Sequence, residues 1–359
     1  MKALLTGGGR ATRLRPITET TNKHLIPLAN KFMIVHAIEK VKRAGITDII
    51  INTNPGETSL PEYLGDGSKW GVQITYREQQ GGPQGVAHIP TSARDLLEGE
   101  PFLFYLSDNI ILGDINRFVD AYRDGNRNAM LAFSRVKDPQ RFGVPEFDAA
   151  GKLVRVVEKP EVPASDYAVT GIYIYDGNYF KAFDSLQKSA RGEYEISDVH
   201  TWYLQNGHNV GWDEITGWWK DTGKAEDLLE GNQLLLNEVT SQEVFNHATM
   251  CERVQIQGRV QIGKGTQLGD NVLIRGPVTI GENVVVRNSY IGPYTSIGDG
   301  VQIYNTEMEN SIVLDRAHIS SGVRIVDSLI GKNVVISAML ETLPNGHKLI
   351  VGDNSMVEL

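Results

Sequence analysis

Two rhythms of apolar residues divide the chain. Up to about residue 240, short β-rich runs alternate with stretches whose apolar positions recur every three or four residues, the pattern of strands interleaved with amphipathic helices. Residues 3–6 predict a buried strand. Ile34, Ala37, Ile38 and Val41 mark a helix that stops at Ala44-Gly45, and residues 48–52 resume as a second strand, which completes a βαβ unit. Further strands are predicted at 72–76, 102–106 and 129–134, with helices at 92–97 and 116–122. A hairpin over 144–147 and 153–158 turns about Ala150-Gly151, and 168–175 reads as another strand. Helices follow at 178–184, 197–206 and 225–237. Together these predict an α/β domain with a largely parallel sheet.

From about residue 250 the period becomes six. Ile256, Ile262, Leu268, Ile274, Ile280 and Val286 are evenly spaced, and Ile291, Ile297 and Ile303 continue after a step of five. Val313, Ile319, Ile325, Ile330 and Ile336 follow a ten-residue gap and slip once, so insertions at two points are expected. Small or β-branched residues four after the aliphatic position (Thr266, Val272, Val278, Val284, Thr295, Val301, Ala317, Val323, Val334) are expected to point inward at every coil. Three hexads make one coil of a parallel β-helix, whose stacked coils bury a column that no single coil could bury. A sandwich would alternate with period two instead. The segment from 340 to 359 is expected to cap the solenoid or to join subunits.

At 359 residues the chain exceeds what one core supports, and the change of rhythm places the division at 1–240 and 241–359. The net charge of −9 supplies no global field for nucleic acid or an anionic membrane, so a polyanionic ligand needs a local basic site. Cys251 is the only cysteine, which excludes a disulfide framework and suits a reducing cytoplasm. No apolar run reaches the length of a membrane span, and the N-terminus does not read as a signal peptide.

The loop Gly7-Gly8-Gly9-Arg10-Ala11-Thr12-Arg13-Leu14-Arg15-Pro16 follows the first strand. Its backbone N–H groups can cradle a phosphate chain, and Arg13 or Arg15 can bind phosphate oxygens. The spacing fits neither the P-loop nor the dinucleotide fingerprint. With Asn22-Lys23-His24-Leu25-Ile26-Pro27, this opening resembles the sugar-phosphate nucleotidyltransferases. Further matches run in order: Gln80 five before Gly85, Leu106-Ser107-Asp108-Asn109, Phe142-Gly143-Val144, Glu158-Lys159-Pro160, Val169-Thr170-Gly171, Gly192-Glu193-Tyr194-Glu195-Ile196-Ser197-Asp198 and Trp219-Lys220-Asp221. The resemblance covers nearly all of 1–240. It implies a Rossmann-like domain with a mixed, mainly parallel sheet, followed by a left-handed parallel β-helix.

The activity so implied is transfer of a nucleotidyl group from a nucleoside triphosphate to a sugar 1-phosphate, with dTTP and glucose 1-phosphate as the expected pair and UTP as the nearest variant. Two anions meet in that reaction, so cations must neutralise charge and fix geometry. By resemblance, Arg13 contacts the reacting phosphates, Lys23 steadies the developing charge, and Gly8, Gly9 and Thr12 line the nucleotide. Asp108 and Asp221 are expected to hold Mg²⁺, a hard ion that prefers oxygen ligands. Lys159 holds the sugar phosphate, Glu158 accepts from sugar hydroxyls, and Leu106, Gly143 and Val169 border the hexose. Gln80 offers an amide for a pyrimidine edge, and Gly85 brings backbone close to the base. Trp219 can either stack on the sugar or fill the core.

Some positions depart from the family pattern. Ala11 stands where glycine is usual, and its Cβ opposes a positive φ. Thr6 replaces an apolar residue, Ser107 a glycine, and His24 is atypical. Related β-helices transfer acetyl groups to amino sugars, but His318 and His347, the histidines of the repeat region and tail, sit in no such motif. A non-catalytic nucleotide-sugar sensor is the third reading. The β-helix is expected to build a homo-oligomer through a flat edge or face.

Overall fold

The computed structural model describes residues 1–9, 11–215, 218–239, 243–244, 248–338 and 349–358. In chain order the elements are β1 (Lys2–Thr6), β2 (Pro27–Leu28), β3 (Lys31–Phe32), α1 (Met33–Arg43), β4 (Asp48–Thr53), α2 (Ser59–Leu64) and β5 (Gln73–Glu78). Then come α3 (Arg94–Leu97), β6 (Phe102–Tyr105), β7 (Asn109–Ile111), α4 (Asn116–Asp124), β8 (Ala129–Arg135), β9 (Gly143–Phe147), β10 (Leu153–Glu158) and β11 (Tyr167–Tyr175). They are followed by α5 (Tyr179–Ser185), α6 (Ile196–Gln205), β12 (Val210–Glu214), β13 (Trp219–Asp221) and α7 (Ala225–Asn237). Contacts group Met1–Arg10, Asn22–Leu25 and Met33–Asp221 into one unit, and Ala11–Thr21, Ile26–Phe32 and Thr222–Leu359 into another.

The first unit is built on a seven-stranded sheet in the order β12-β8-β11-β6-β1-β4-β5. β1 pairs in parallel with β4 and β6, while β11 runs antiparallel to both β6 and β8, so the sheet is mixed and mainly parallel, as expected. Helix α1 forms because Met33, Ile34, Ala37, Ile38 and Val41 fall on one buried stripe. Its last turn carries Lys40, Lys42 and Arg43, which oppose the helix dipole. The 92–97 helix is shorter than its pattern suggested: a 3-10 stretch, Val86–Ala93, containing Pro90 precedes α3. Leu4, Phe102, Phe104, Leu131, Tyr175 and Phe180 anchor the core. Phe102 meets Tyr179 edge-on at 5.4 Å. This apolar wall fixes β1 and β6, whose C-terminal ends carry the loops of interest.

The second unit contains the parallel β-helix. Its coils stack in three sheets, and the aliphatic column is read directly from the register: Ile256 on Ile274, Ile274 on Ile291, Ile291 on Met308, and Met308 on Ile325. Met308 corrects the expected insertions. The ten-residue gap between Ile303 and Val313 is two steps of five with a methionine in the aliphatic place, so coils shorten by a residue instead of gaining a loop. Asn271, Asn288 and Asn305 take the left-handed corners that Asn tolerates, and hydrogen-bond to one another up the stack. Seven of the nine positions expected to face inward are buried. Val323 and Val334 are exposed: they directly precede Arg324–Val326 and Val335–Ser337, the last strands of their sheets, which no described coil covers. His318 lies on the strand His318–Ser320 against the Tyr304 ring. His347 and half of the tail, 340–348 and 359, lie outside the described residues. No described helix is long and apolar enough to cross a membrane.

Candidate functional site

The glycine loop leaves β1 under tight steric control. A Cβ on Gly7 would come within 2.9 Å of Leu60, Ile51 and the Asn52 carbonyl, so the chain passes too close to β4 for any larger residue. Two asparagines fasten the turn. Asn54 accepts from the Gly9 N–H at 3.0 Å and donates to its carbonyl at 3.1 Å, while Asn22 donates to the Gly7 carbonyl at 3.0 Å and to Glu57 at 2.6 Å. In the second unit, Ala11 adopts the left-handed conformation at φ 43°, despite its Cβ. Thr18 donates to its carbonyl at 2.8 Å, and Thr12 and Arg13 follow as exposed residues of a 3-10 turn. Arg13 is close enough to Gly223 that a Cβ there would touch its guanidinium at 3.4 Å.

Asp108 stands just past the C-terminal end of β6, and its Oδ2 accepts from Lys23 Nζ at 2.6 Å. The ammonium is 12% and the carboxylate 25% exposed, so the pair is half-sheltered but open to one side. Burial alone would push the Asp108 carboxyl up. The Lys23 charge, then His24, together with hydrogen bonds from Lys23 and Asn109, outweighs it and holds the group at about 2. Asp108 is therefore an anion at neutral pH. His24 is fully sheltered, and burial pushes its imidazole down to about 4.

Asn109 organises the surroundings. Its Nδ2 donates to Asp108 Oδ1 at 3.0 Å, and its Oδ1 accepts from Trp219 Nε1 at 2.7 Å and from the Gly171 N–H at 3.1 Å. β13 pairs antiparallel with β7, placing Asp221 opposite Asn109. Asp221 on β13 is thus paired with the residue that follows Asp108, although the two carboxylates are far apart in sequence. The buried Tyr173 hydroxyl is raised first by burial, then by the Glu158, Asp108 and Asp221 carboxylates. Trp219 is buried with its ring edge-on to Phe142 at 5.1 Å, so it fills the interior.

A second cluster gathers around Glu158 at the end of β10. Ser197 donates to its Oε2 at 2.8 Å, and Arg191 approaches its Oε1 at 3.4 Å. Lys159 lies 3.7 Å from the same oxygen, exposed and held at a left-handed φ of 45° by its N–H bond to the Phe142 carbonyl. Gly143 pairs with Glu158, and a Cβ there would meet Ser197 Oγ at 2.6 Å. Leu106 donates its N–H to Gly171, two residues beyond Val169, which is buried on β11. Gln80 is exposed, with its amide on Glu78, whereas neighbouring Gln79 is buried against His88. Gly85 has φ 103°, and a Cβ would lie 2.4 Å from the Tyr194 carbonyl; Ala87 and Gln84 bond the same tyrosine's backbone.

These contacts add residues that the sequence reading did not assign. Asn22, Asn54 and Glu57 hold the glycine loop, Asn109 orients Asp108, and Arg191 adds a cation beside Lys159. Arg191 stands next to the Gly192 motif, a signal that was present but unread. The donor chemistry fits a hard divalent ion: the Asp108 carboxylate in the turn before β7 and the Asp221 carboxylate on β13, with other positions left to phosphate and water. No group of three or more acidic, histidine or cysteine residues that could hold a metal occurs among the described residues.

Comparison with known proteins agrees with this geometry. The nucleotidyl transferase family model matches residues 2–238, and a bacterial transferase hexapeptide model matches residues 259–289. A glucose-1-phosphate thymidylyltransferase from Streptomyces antibioticus is 41% identical, with 100% of this chain and 99% of that protein covered. A low-salt glycan biosynthesis nucleotidyltransferase from Haloferax volcanii is 38% identical over the whole of both. A Bacillus anthracis protein assigned as a glucose-1-phosphate thymidylyltransferase, solved with sucrose, superposes at a TM-score of 0.62 with 38% identity, covering 68% of this chain and 98% of that one. On these grounds the chain belongs to the nucleotidyl transferase family, in a form that carries a C-terminal hexapeptide β-helix.

Proposed function

We propose that the enzyme makes dTDP-glucose and pyrophosphate from dTTP and glucose 1-phosphate, with UTP as the alternative nucleotide. The observation that carries this reading is the Lys23–Asp108 pair at the end of β6, an anion and a cation side by side at the sheet edge where phosphates bind. A glucose 1-phosphate oxygen attacks the α-phosphorus of the triphosphate; the new P–O bond forms as the bond to the β-phosphate bridge breaks, and pyrophosphate leaves. Lys23 and Arg13 offset the charge that gathers along that line. The glycine loop at Gly8, Gly9 and Thr12 takes the triphosphate. Lys159, with Arg191, takes the sugar phosphate, and Glu158 accepts from the hexose hydroxyls beside Gly143, Leu106 and Val169. Gln80 and Gly85 face the base.

Enzymes of this family generally use a divalent metal. In this reading the ion is Mg²⁺, held by Asp108 and Asp221, and it screens phosphate charge when bound. Asn109 keeps Asp108 turned toward it. Residues 1–240 form the catalytic domain, and residues 241–359 the β-helix with its tail, through which the chain forms a homo-oligomer in the cytoplasm. The test is pyrophosphate release with Mg²⁺, crossing dTTP, UTP, ATP, GTP and CTP against glucose 1-phosphate and related sugar phosphates. Release with dTTP or UTP and glucose 1-phosphate supports the reading. Release only with another base or another sugar replaces that part of it.

A further inference from the structure

Lys23 opens a short 3-10 turn, Lys23–Leu25, whose backbone bond runs from the Leu25 N–H to the Asn22 carbonyl at 2.9 Å. So short a turn does not hold itself, because one bond does not repay the ordering of its backbone. Its anchor is the Asn22 side chain. Asn22 Oδ1 accepts from the His24 N–H at 2.9 Å, with the His24 ring nitrogen Nδ1 3.2 Å from the same oxygen. Asn22 Nδ2 donates to the Gly7 carbonyl at 3.0 Å and to Glu57 Oε2 at 2.6 Å. One amide thus joins the residue after β1, the turn that carries Lys23, and the loop between β4 and α2. All of these residues, and Asp108 with them, belong to the first unit.

Glu57 divides its two oxygens between two tasks. Oε2 takes Asn22, whereas Oε1 accepts from the Ser59 N–H at 2.8 Å, the Ser59 hydroxyl and the Leu60 N–H at 3.4 Å, at the start of α2. Burial alone would raise this carboxyl. The hydrogen bonds from Ser59, Asn22 and Leu60 outweigh burial and hold it below its ordinary value, so it is an anion at neutral pH. A charged acceptor grips an amide donor more firmly than a neutral one. We propose that Glu57 is a positioning residue for nucleotidyl transfer: through Asn22 it locks the Lys23 turn to the glycine loop, so that the ammonium and the loop keep one spacing. Glu57 acts at one remove, since Asn22 lies between it and both partners. The inference rests on Lys23 and the glycine loop serving the reacting phosphates, as proposed above.

The test uses the full chain with Glu57→Gln and Asn22→Ala, and with Ser59→Ala and Val119→Ala as controls. In Glu57→Gln the oxygen stays with the donors of α2 and the new Nε2 faces Asn22 Nδ2, donor against donor, so the helix end is kept and the tether is lost. Ser59→Ala does the reverse, removing one donor to Oε1 and leaving Oε2 on Asn22. Val119→Ala opens the core at a buried position of α4. The readouts are kcat and KM by pyrophosphate release, hydrogen exchange over residues 22–25, and melting temperature. Small displacements at reacting groups cost turnover more than binding, so Glu57→Gln and Asn22→Ala should lose about tenfold in kcat with KM within about threefold. Exchange at the His24 and Leu25 N–H groups should be roughly tenfold faster in both. Ser59→Ala and Val119→Ala should keep kcat within about twofold, the latter with a lower melting temperature. Wild-type kcat or unchanged exchange in the two tether variants, or an equal kcat loss in either control, overturns the proposal. If Asn22→Ala does not fold, the isosteric Glu57→Gln decides on the same readouts. A folded wild type without turnover would count against the nucleotidyl-transfer reading, and exchange alone would then decide the tether.

Discussion

At Asp108 burial, the largest single effect, pushes the carboxyl up, and the Lys23 and His24 charges with the hydrogen bonds from Lys23 and Asn109 together outweigh it. Asp108→Asn keeps the shape and the Asn109 bond but removes the anion, so turnover should fall by about 100-fold or more with little change in melting temperature, read by pyrophosphate release and circular dichroism. Thr6 matters for a different reason: its Oγ1 accepts from the buried Ser107 N–H at 2.8 Å. Thr6→Val should leave that donor unpaired and cost about 1–3 kcal/mol in denaturant unfolding. Two of the four departures from the family pattern, Thr6 and Ser107, thus meet through the Ser107 backbone N–H. His200, with its Nε2 at 2.6 Å from the Tyr175 hydroxyl, is pushed by burial from 6.5 down to about 3. The unfolded chain binds that proton near 6.5, so the stabilisation is complete above pH 6.5 and is lost as the pH falls toward 3. The slope is about 1.4 kcal/mol per pH unit, and His200→Gln should flatten the stability profile by that amount over this window. Asp108 was conspicuous as a charge at the end of an apolar strand, whereas Lys23, in a 3-10 turn, drew notice only through its resemblance to a family motif. The role of Asn109 was not legible, since it comes from three partners that only folding assembles.

Among the elements, strands and helices of the first unit were legible where apolar periodicity was long, as in α1, β6, β11 and α7. The short strands β7 and β13 carry too few residues to show a period, yet their pairing brings Asp221 opposite Asn109. The β-helix was legible from its sixfold spacing. The ten-residue gap misled because a methionine fills an aliphatic position without looking β-branched. The register also ranks substitutions. Ile303→Ala, in the buried column, should cost about 2–5 kcal/mol, whereas Val335→Ser in the uncovered last coil, 69% exposed, should change stability by less than about 0.5 kcal/mol. Chemical denaturation of both variants checks this.

Across the whole molecule, one unit is built on the sheet whose C-terminal edge carries Asp108, and the other contains the solenoid together with the segments 11–21 and 26–32. The two-part design was readable from the change of rhythm near residue 250. What the rhythm could not show is that 11–21 and 26–32, early in the chain, join the late unit, because that grouping arises from packing between distant segments. The most direct measurement is pyrophosphate release from dTTP and glucose 1-phosphate with Mg²⁺, wild type beside Asp108→Asn. The account predicts steady release by the wild type and a loss of about 100-fold or more in the variant. Silence from a folded wild type that still binds the nucleotide sugar would contradict it and point to a sensor, as would equal rates in the two proteins for the role of Asp108.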